Sequence, residues 1–213
     1  MISSYPVSGI VASQTYSGSS SSLQKVLSVF WHRNNTNPRT KSVTKSFRLD
    51  NDIINKIEQQ AEDNNTSLNS EVNNILRKYV DWDMLANKVG MIPIARPILS
   101  EIFQRIMTKE QVIDLANNVA KNVIHETAHF MKGSLTLESF LSWLKTRMEH
   151  SSKVNYAIEN NGHQIRIIFK HDLGENWSIY HKIITESIFY EILGESTNVG
   201  VDISPTTLVL CFR

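Results

Sequence analysis

The spacing of apolar positions changes along this chain, and each change marks a different kind of element. Thr44-Lys45-Ser46-Phe47-Arg48-Leu49 sets polar side chains at alternate positions, which predicts a short strand. A lone strand cannot stay unpaired in water, and its natural partner is the same strand of a second copy. A helix is expected from Asp50-Asn51-Asp52, whose short acceptors suit an N-terminus, with Ile53, Ile54, Ile57 and Ala61 as its buried stripe. After the turn Asn64-Asn65-Thr66-Ser67, with Ser67 as N-cap, Val72, Ile75, Leu76, Tyr79 and Val80 fall at i, i+3, i+4, i+7 and i+8. That pattern predicts a second amphipathic helix running past Trp82.

Residues 84–150 read as helix throughout. Pro93 and Pro97 interrupt the chain, Ile98 to Met107 makes a short helix, and Thr108-Lys109-Glu110-Gln111 is a capping-box start for a long one to about Lys132. Its apolar stripe is expected to be Val112, Ala116, Val119, Ala120, Val123, Ile124, Phe130 and Met131. Gly133-Ser134 stops it, and Thr136 caps another helix to about Glu149. From Lys153 the period becomes two: Val154 to Ile158 and His163 to Lys170 predict a hairpin around Asn160-Asn161-Gly162. A helix from about Asn176 to Leu193 and strands at Val199–Ile203 and Thr207–Phe212 follow. The resulting expectation is a mainly α protein with a small α+β C-terminal domain, ββαββ, over residues 151–213. A helical region would fill 84–150 and a two-helix module 43–83. Residues 1–42 would form a disordered tail, rich in Ser and Asn apart from an apolar patch at Leu23–Trp31.

Charge sharpens this picture. Residues 1–49 carry six basic side chains (Lys25, Arg33, Arg39, Lys41, Lys45 and Arg48) and no acidic one, although the net charge of the whole chain is only +1. The rest holds 16 of the 22 basic groups against all 21 acidic groups, so positive charge gathers beside the expected strand, where it would attract phosphate. No apolar run approaches the roughly 18–20 residues needed to cross a bilayer. The first charge is Lys25, which is unlike a secretory signal, and the single cysteine, Cys211, excludes an internal disulfide framework. A cytoplasmic, nucleoid-associated location is expected.

With strand, helix, turn and helix in that order, residues 43–83 resemble the ribbon–helix–helix family of DNA-binding repressors, of the Arc and MetJ type. The likeness is best from Ala61-Glu62-Asp63-Asn64 through Ser67-Leu68-Asn69-Ser70-Glu71-Val72. It implies a homodimer, or a higher homo-oligomer, whose two strands pair into a ribbon in the major groove of double-stranded DNA. By resemblance Thr44, Ser46 and Arg48 meet base edges. Ser67, Leu68 and Asn69 at the second helix start, with Lys41 and Lys45, meet phosphates, and Val43, Phe47 and Leu49 face the helices. Two positions depart from the family pattern. Lys45 stands where an apolar residue is usual, and Asn65 replaces the usual turn glycine, which Asn can do because it accepts left-handed geometry.

Two other groups of residues carry candidate chemistry. His125-Glu126-Thr127-Ala128-His129 resembles the His-Glu-x-x-His motif of zinc metalloproteases, in which two histidines hold the metal and the glutamate activates water. Here His125 and His129 lie opposite the expected apolar stripe, and a third ligand would have to come from Glu138, Glu149 or His150. The block His171 to Ser178 resembles one that follows a ribbon–helix–helix in archaeal chains of unassigned function. It reads either as structure, with Gly174 for a turn, Asn176 as cap and Trp177 as core anchor, or as a pocket of His171, Asp172 and His181. There is no phosphate-binding glycine loop, nucleophile motif or paired-carboxylate pattern, so no cofactor is expected. The expected function is a DNA-binding transcriptional regulator, with residues 84–213 adding dimer contacts or binding an effector. The alternatives are an antitoxin-like repressor that grips a protein partner and a zinc hydrolase.

Overall fold

Short-range signals at its ends delimit the first helix, α1 (Asn51–Asp63), in the computed structural model, which describes residues 42–150, 154–161, 164–194 and 199–213. Asp50 occupies its N-cap, and the Asp50 carbonyl rather than the carboxylate accepts from the amides of Ile53 and Ile54. Asn65 takes the turn to α2 (Leu68–Lys78) at φ 51°, the left-handed conformation that Asn tolerates. Ser67 caps α2 by accepting from the Ser70 amide at 3.2 Å. One polar contact ties the pair together: Glu71, 5% exposed, accepts from Gln60 Nε2 at 2.8 Å and Asn64 Nδ2 at 3.4 Å.

From Lys78 the helix runs on through a π-turn (Tyr79–Asp83) and a further turn (Met84–Ala86) to Gly90, whose φ of 72° ends it. Next come α3 (Arg96–Glu101), with Pro97 in its first turn, and a second π-turn (Ile102–Ile106). A full capping box, Thr108 with Gln111, starts α4 (Lys109–Leu115). A third π-turn (Ala116–Ala120) joins α4 to α5 (Lys121–Lys132), which Gly133 closes. Thr136 and Ser139 cap each other at the start of α6 (Leu137–His150), the Ser139 amide donating to Thr136 Oγ1 at 3.1 Å and the Thr136 amide to Ser139 Oγ at 2.8 Å.

The strands β1 (Asn155–Asn160), β2 (Ile165–Lys170), β3 (Val199–Ser204) and β4 (Thr207–Phe212) form one antiparallel sheet in the order β1-β2-β4-β3. Between β2 and β3 the chain makes α7 (Glu175–Leu193). Alternation along the central strands sends Ile167, Phe169, Leu208, Leu210 and Phe212 to one face, where they meet Ile184, Ile188 and Phe189 of α7. α7 touches β3, β4, α4, α5 and α6, and all but one of its buried positions share one broad face. Ile168, Val209 and Cys211 make a small apolar cluster on the opposite sheet face. Among the described residues no helix is long and apolar enough to cross a membrane.

The expected fold class is therefore corrected. The described residues are about 63% helix, with one four-stranded antiparallel sheet toward the C-terminus. One apolar core runs from Phe103 and Val112 through Trp143 to Phe212, so the helices of 96–150 and the sheet are packed as a single body. Residues 42–50, expected to carry the ribbon strand ahead of a ribbon–helix–helix, form no strand, and every one of them is exposed. Among the described residues no strand pairs with that segment.

The expected stripe of the long helix also shifts. Val112, Ala116, Ala120, Ile124 and Ala128 are buried, a spacing of four residues throughout. On a helix of 3.6 residues per turn such a row drifts by about 40° at each step, and the π-turn at Ala116–Ala120 takes up part of that drift. Val119, Val123 and Phe130 are left outside, each 52% exposed.

Candidate functional site

The candidate nucleic-acid residues that the structure describes fall in two segments, one ahead of α1 and one at the start of α2. Thr44, Lys45, Ser46 and Arg48 are exposed in the extended segment ahead of α1, and Ser67 and Asn69 are exposed at the start of α2 with Leu68 half-buried between them. Lys41 lies outside the described residues. Ser67 already accepts from the Ser70 amide and shares a hydrogen bond with the Ser70 hydroxyl at 2.9 Å.

The apolar side chains of this module are not where the sequence pattern puts them. Val43, Phe47 and Leu49 were expected against the helices, yet they are 74%, 75% and 51% exposed. Ile53, Ile75, Leu76, Tyr79 and Val80, expected in the buried stripes, are exposed as well, and only Ala61 and Glu71 are buried within α1 and α2. The cause is geometric: each helix has the other as its main neighbour, and among the described residues the module's main contact with the rest of the chain lies beyond Lys78, where the π-turn packs on α6. Two helices side by side cannot enclose two apolar stripes.

On α5 the metal-like motif is divided. His125 Nε2 lies 2.9 Å from Glu191 Oε1 of α7, whereas Glu126 and His129 are exposed. Among the described residues no three His, Cys, Asp or Glu side chains converge as a metal site would require, so Glu138, Glu149 and His150 do not complete one with this pair.

The His171–Ser178 block is a polar joint between the sheet and α7. The Leu173 amide donates to His171 Nδ1 at 3.2 Å, so His171 Nε2 bears the proton and donates to Ser178 Oγ at 2.8 Å; Ser178 in turn donates to the Ser204 carbonyl at 2.7 Å. Burial pushes the His171 imidazole down to about 4, which keeps it neutral. Ser178 is fully buried and its proton is committed, so this pair is a brace and not a nucleophile. Asp172 is exposed and ion-paired with Arg96, a bond that holds its carboxyl below the ordinary range. Asn176 is not the cap of α7. It donates instead to the carbonyls of Phe103 and Met107 at 2.8 and 3.0 Å, which the second π-turn leaves open. The expected pocket of His171, Asp172 and His181 is thus not formed, and Trp177 stands between the two imidazoles at 4.3 and 3.8 Å.

His181 belongs to a different space. A cavity of about 590 Å³ opens between the continuation of α2, the Met91–Ile94 link, α6 and α7. Two of the π-turns contribute walls to it, Trp82 and Asp83 from the first and Phe103 from the second. Lys78 and Arg147 are the cations on its lining and Asp83 the carboxylate, which lies 3.5 Å from Lys78. Arg147 is half-buried with its guanidinium 5.3 Å from the Trp143 ring centre. Desolvation lowers Arg147 from its ordinary value, and a bond to the Tyr180 hydroxyl works against that. His181 is 4% exposed; its Nδ1 donates to the Trp177 carbonyl at 3.0 Å, and its buried Nε2 has no hydrogen-bond partner among the described residues. Burial first, and the Arg147 charge second, hold His181 well below its ordinary value, so it is neutral with a lone pair on Nε2. Arg147 was not singled out by sequence reasoning. The available signal was a cation four residues after Trp143, on the apolar side of α6.

No protein-family model, curated protein or solved structure matches this chain.

Proposed function

We propose that the chain is a sequence-specific DNA-binding regulator that acts as a homodimer through residues 43–83, in line with their ribbon–helix–helix resemblance. The observation that supports this best is the uncovered apolar surface of the module, eight side chains from Val43 to Val80 that a single chain leaves in water. Full burial of such a side chain contributes about 1.5–3 kcal/mol. Half-burial of eight is comparable with the roughly 4–15 kcal/mol that association costs. A second copy on a two-fold axis would cover that surface with its own equivalent, and would bring the two segments 43–49 together as antiparallel strands. Thr44, Ser46 and Arg48 would then project from the joined strands toward base edges, flanked by Lys45 and the α2 amides at phosphates. A cytoplasmic, nucleoid-associated location goes with this reading.

The test has two parts. Sedimentation equilibrium should give a dimer at micromolar concentration. Selection from fragmented genomic DNA, followed by mobility shift, should recover a palindromic site bound with an affinity that falls steeply as salt rises. A monomer that shows no DNA affinity even at low salt would overturn the proposal.

A further inference from the structure

We propose that the cavity between the continuation of α2 and α7 is a binding site for a small organic acid: one carboxylate on a flat, apolar body that also carries an O–H or N–H donor. Its volume of about 590 Å³ lies in the range of small-molecule pockets. Trp82, Phe103, Trp177 and Tyr180 supply flat apolar walls, which suit an aromatic or similarly planar skeleton.

Two polar features select the rest of the ligand. Of the lining charges, Lys78 and Asp83 lie together, which leaves Arg147 as a cation with no carboxylate in ion-pair contact among the described residues. A guanidinium in such a place favours a planar carboxylate that can take two parallel hydrogen bonds. His181 Nε2 is the complementary feature. A buried acceptor without a donor costs free energy, commonly about 1–3 kcal/mol, and here its ring is fixed by the Nδ1 bond to Trp177. A ligand hydroxyl or N–H that reached the ring through a shift of the lining would meet that need, whereas a second anionic group would not. The lining charge, with Lys78 and Arg147 against Asp83, favours a single negative charge. π-turns at functional sites are common because the extra residue displaces side chains from the regular helix face. Here the two that border the cavity contribute Trp82, Asp83 and Phe103 to its wall.

The site is independent of the DNA-binding proposal, and its test contains no DNA. The full chain is titrated by calorimetry with 4-hydroxybenzoate, 4-hydroxyphenylacetate and indole-3-acetate. Each is compared with its primary amide, which lacks the charge, and with its O-methyl or N-methyl analogue, which lacks the donor. At least one acid should saturate with a Kd below about 1 mM, its amide should bind about tenfold or more weakly, and its methylated form should also lose about tenfold. These comparisons use the unaltered protein and do not depend on any variant folding. Arg147→Met and His181→Phe, each checked for wild-type circular dichroism, should then weaken the acid but leave the amide and the methylated analogue respectively unchanged. Failure of all three acids to bind, or an acid that binds no better than its amide and its methylated form, would overturn the proposal.

Discussion

Gly174 lies so close to Gln104 that a Cβ added to it would stand 2.6 Å from the Gln104 Cγ. Gln104 has little freedom to retreat, because its amide donates to the Asp172 carbonyl at 3.0 Å and to Ser100 Oγ at 2.7 Å. Gly174 also sits at φ 87° and ψ 172°, a backbone region that is essentially glycine's own. Gly174→Ala is expected to destabilise the protein by about 1–3 kcal/mol, read as a lower urea midpoint. Adding Gln104→Ala should recover the steric part and leave the backbone part. An unchanged midpoint in the single variant would show that the joint between the second π-turn and α7 is looser than described.

Acid should weaken the fold well before its carboxylates protonate. Burial lowers His171 to about 4 and His181 well below its ordinary value of 6.5. In the unfolded chain both imidazoles take up protons near 6.5, while the folded chain keeps them neutral. Stability is therefore fully present above about pH 6.5 and is lost as the pH falls from there toward 4. Thermal melts across that window should show the decline, and His171→Asn or His181→Phe should flatten it. A Tm that is level from pH 7 to 4.5 would contradict the assignment of these two groups as buried and neutral.

Glu71 is the polar link between α1 and α2, and its removal should separate them. Glu71→Ala leaves the Gln60 and Asn64 amides without their acceptor in a partly buried place, at a cost of about 1–3 kcal/mol. Hydrogen exchange should accelerate across residues 51–78 and stay unchanged in α7. Glu71→Gln keeps one acceptor and should fall between the two. Equal exchange in all three proteins would assign the stability of the pair to something else.

Arg48→Ala tests the DNA reading at a single position. A lost bidentate contact to guanine should reduce affinity for the selected site by about 1–3 kcal/mol and relax the preference at one base pair. Lys45→Ala should instead weaken all sequences alike and reduce the salt slope by about one. A footprint and affinity indifferent to Arg48 would remove it from base recognition.

The helix ends were legible in the sequence because caps act over three or four residues. Ser67, the Thr108–Gln111 box, Thr136 and Gly133 each mark a terminus by a bond or a backbone angle within its own turn. Strand alternation at Ile165–Lys170 and Thr207–Phe212 was equally local. Burial on the long helix was not. Its apolar row follows a four-residue spacing through a π-turn, and an ideal 3.6-residue period assigns Val119 and Val123 to the wrong side.

By itself the sequence determined several helix ends and the positions of the sheet strands, but not the absence of a strand at 44–49; it also determined that Asn65 could turn left-handed and that residues 43–83 present apolar stripes in need of cover. Tertiary structure alone decided what those stripes meet: Ala61 is buried, while Ile53, Ile75, Leu76, Tyr79 and Val80 stay exposed. It also decided that His171 braces Ser178, that Asn176 serves carbonyls 73 and 69 residues away, and that Arg147 and His181 share a cavity. The reason is range. A cap or an alternating strand is settled by neighbours along the backbone, whereas a cavity exists only where elements distant in sequence fail to fill the space between them.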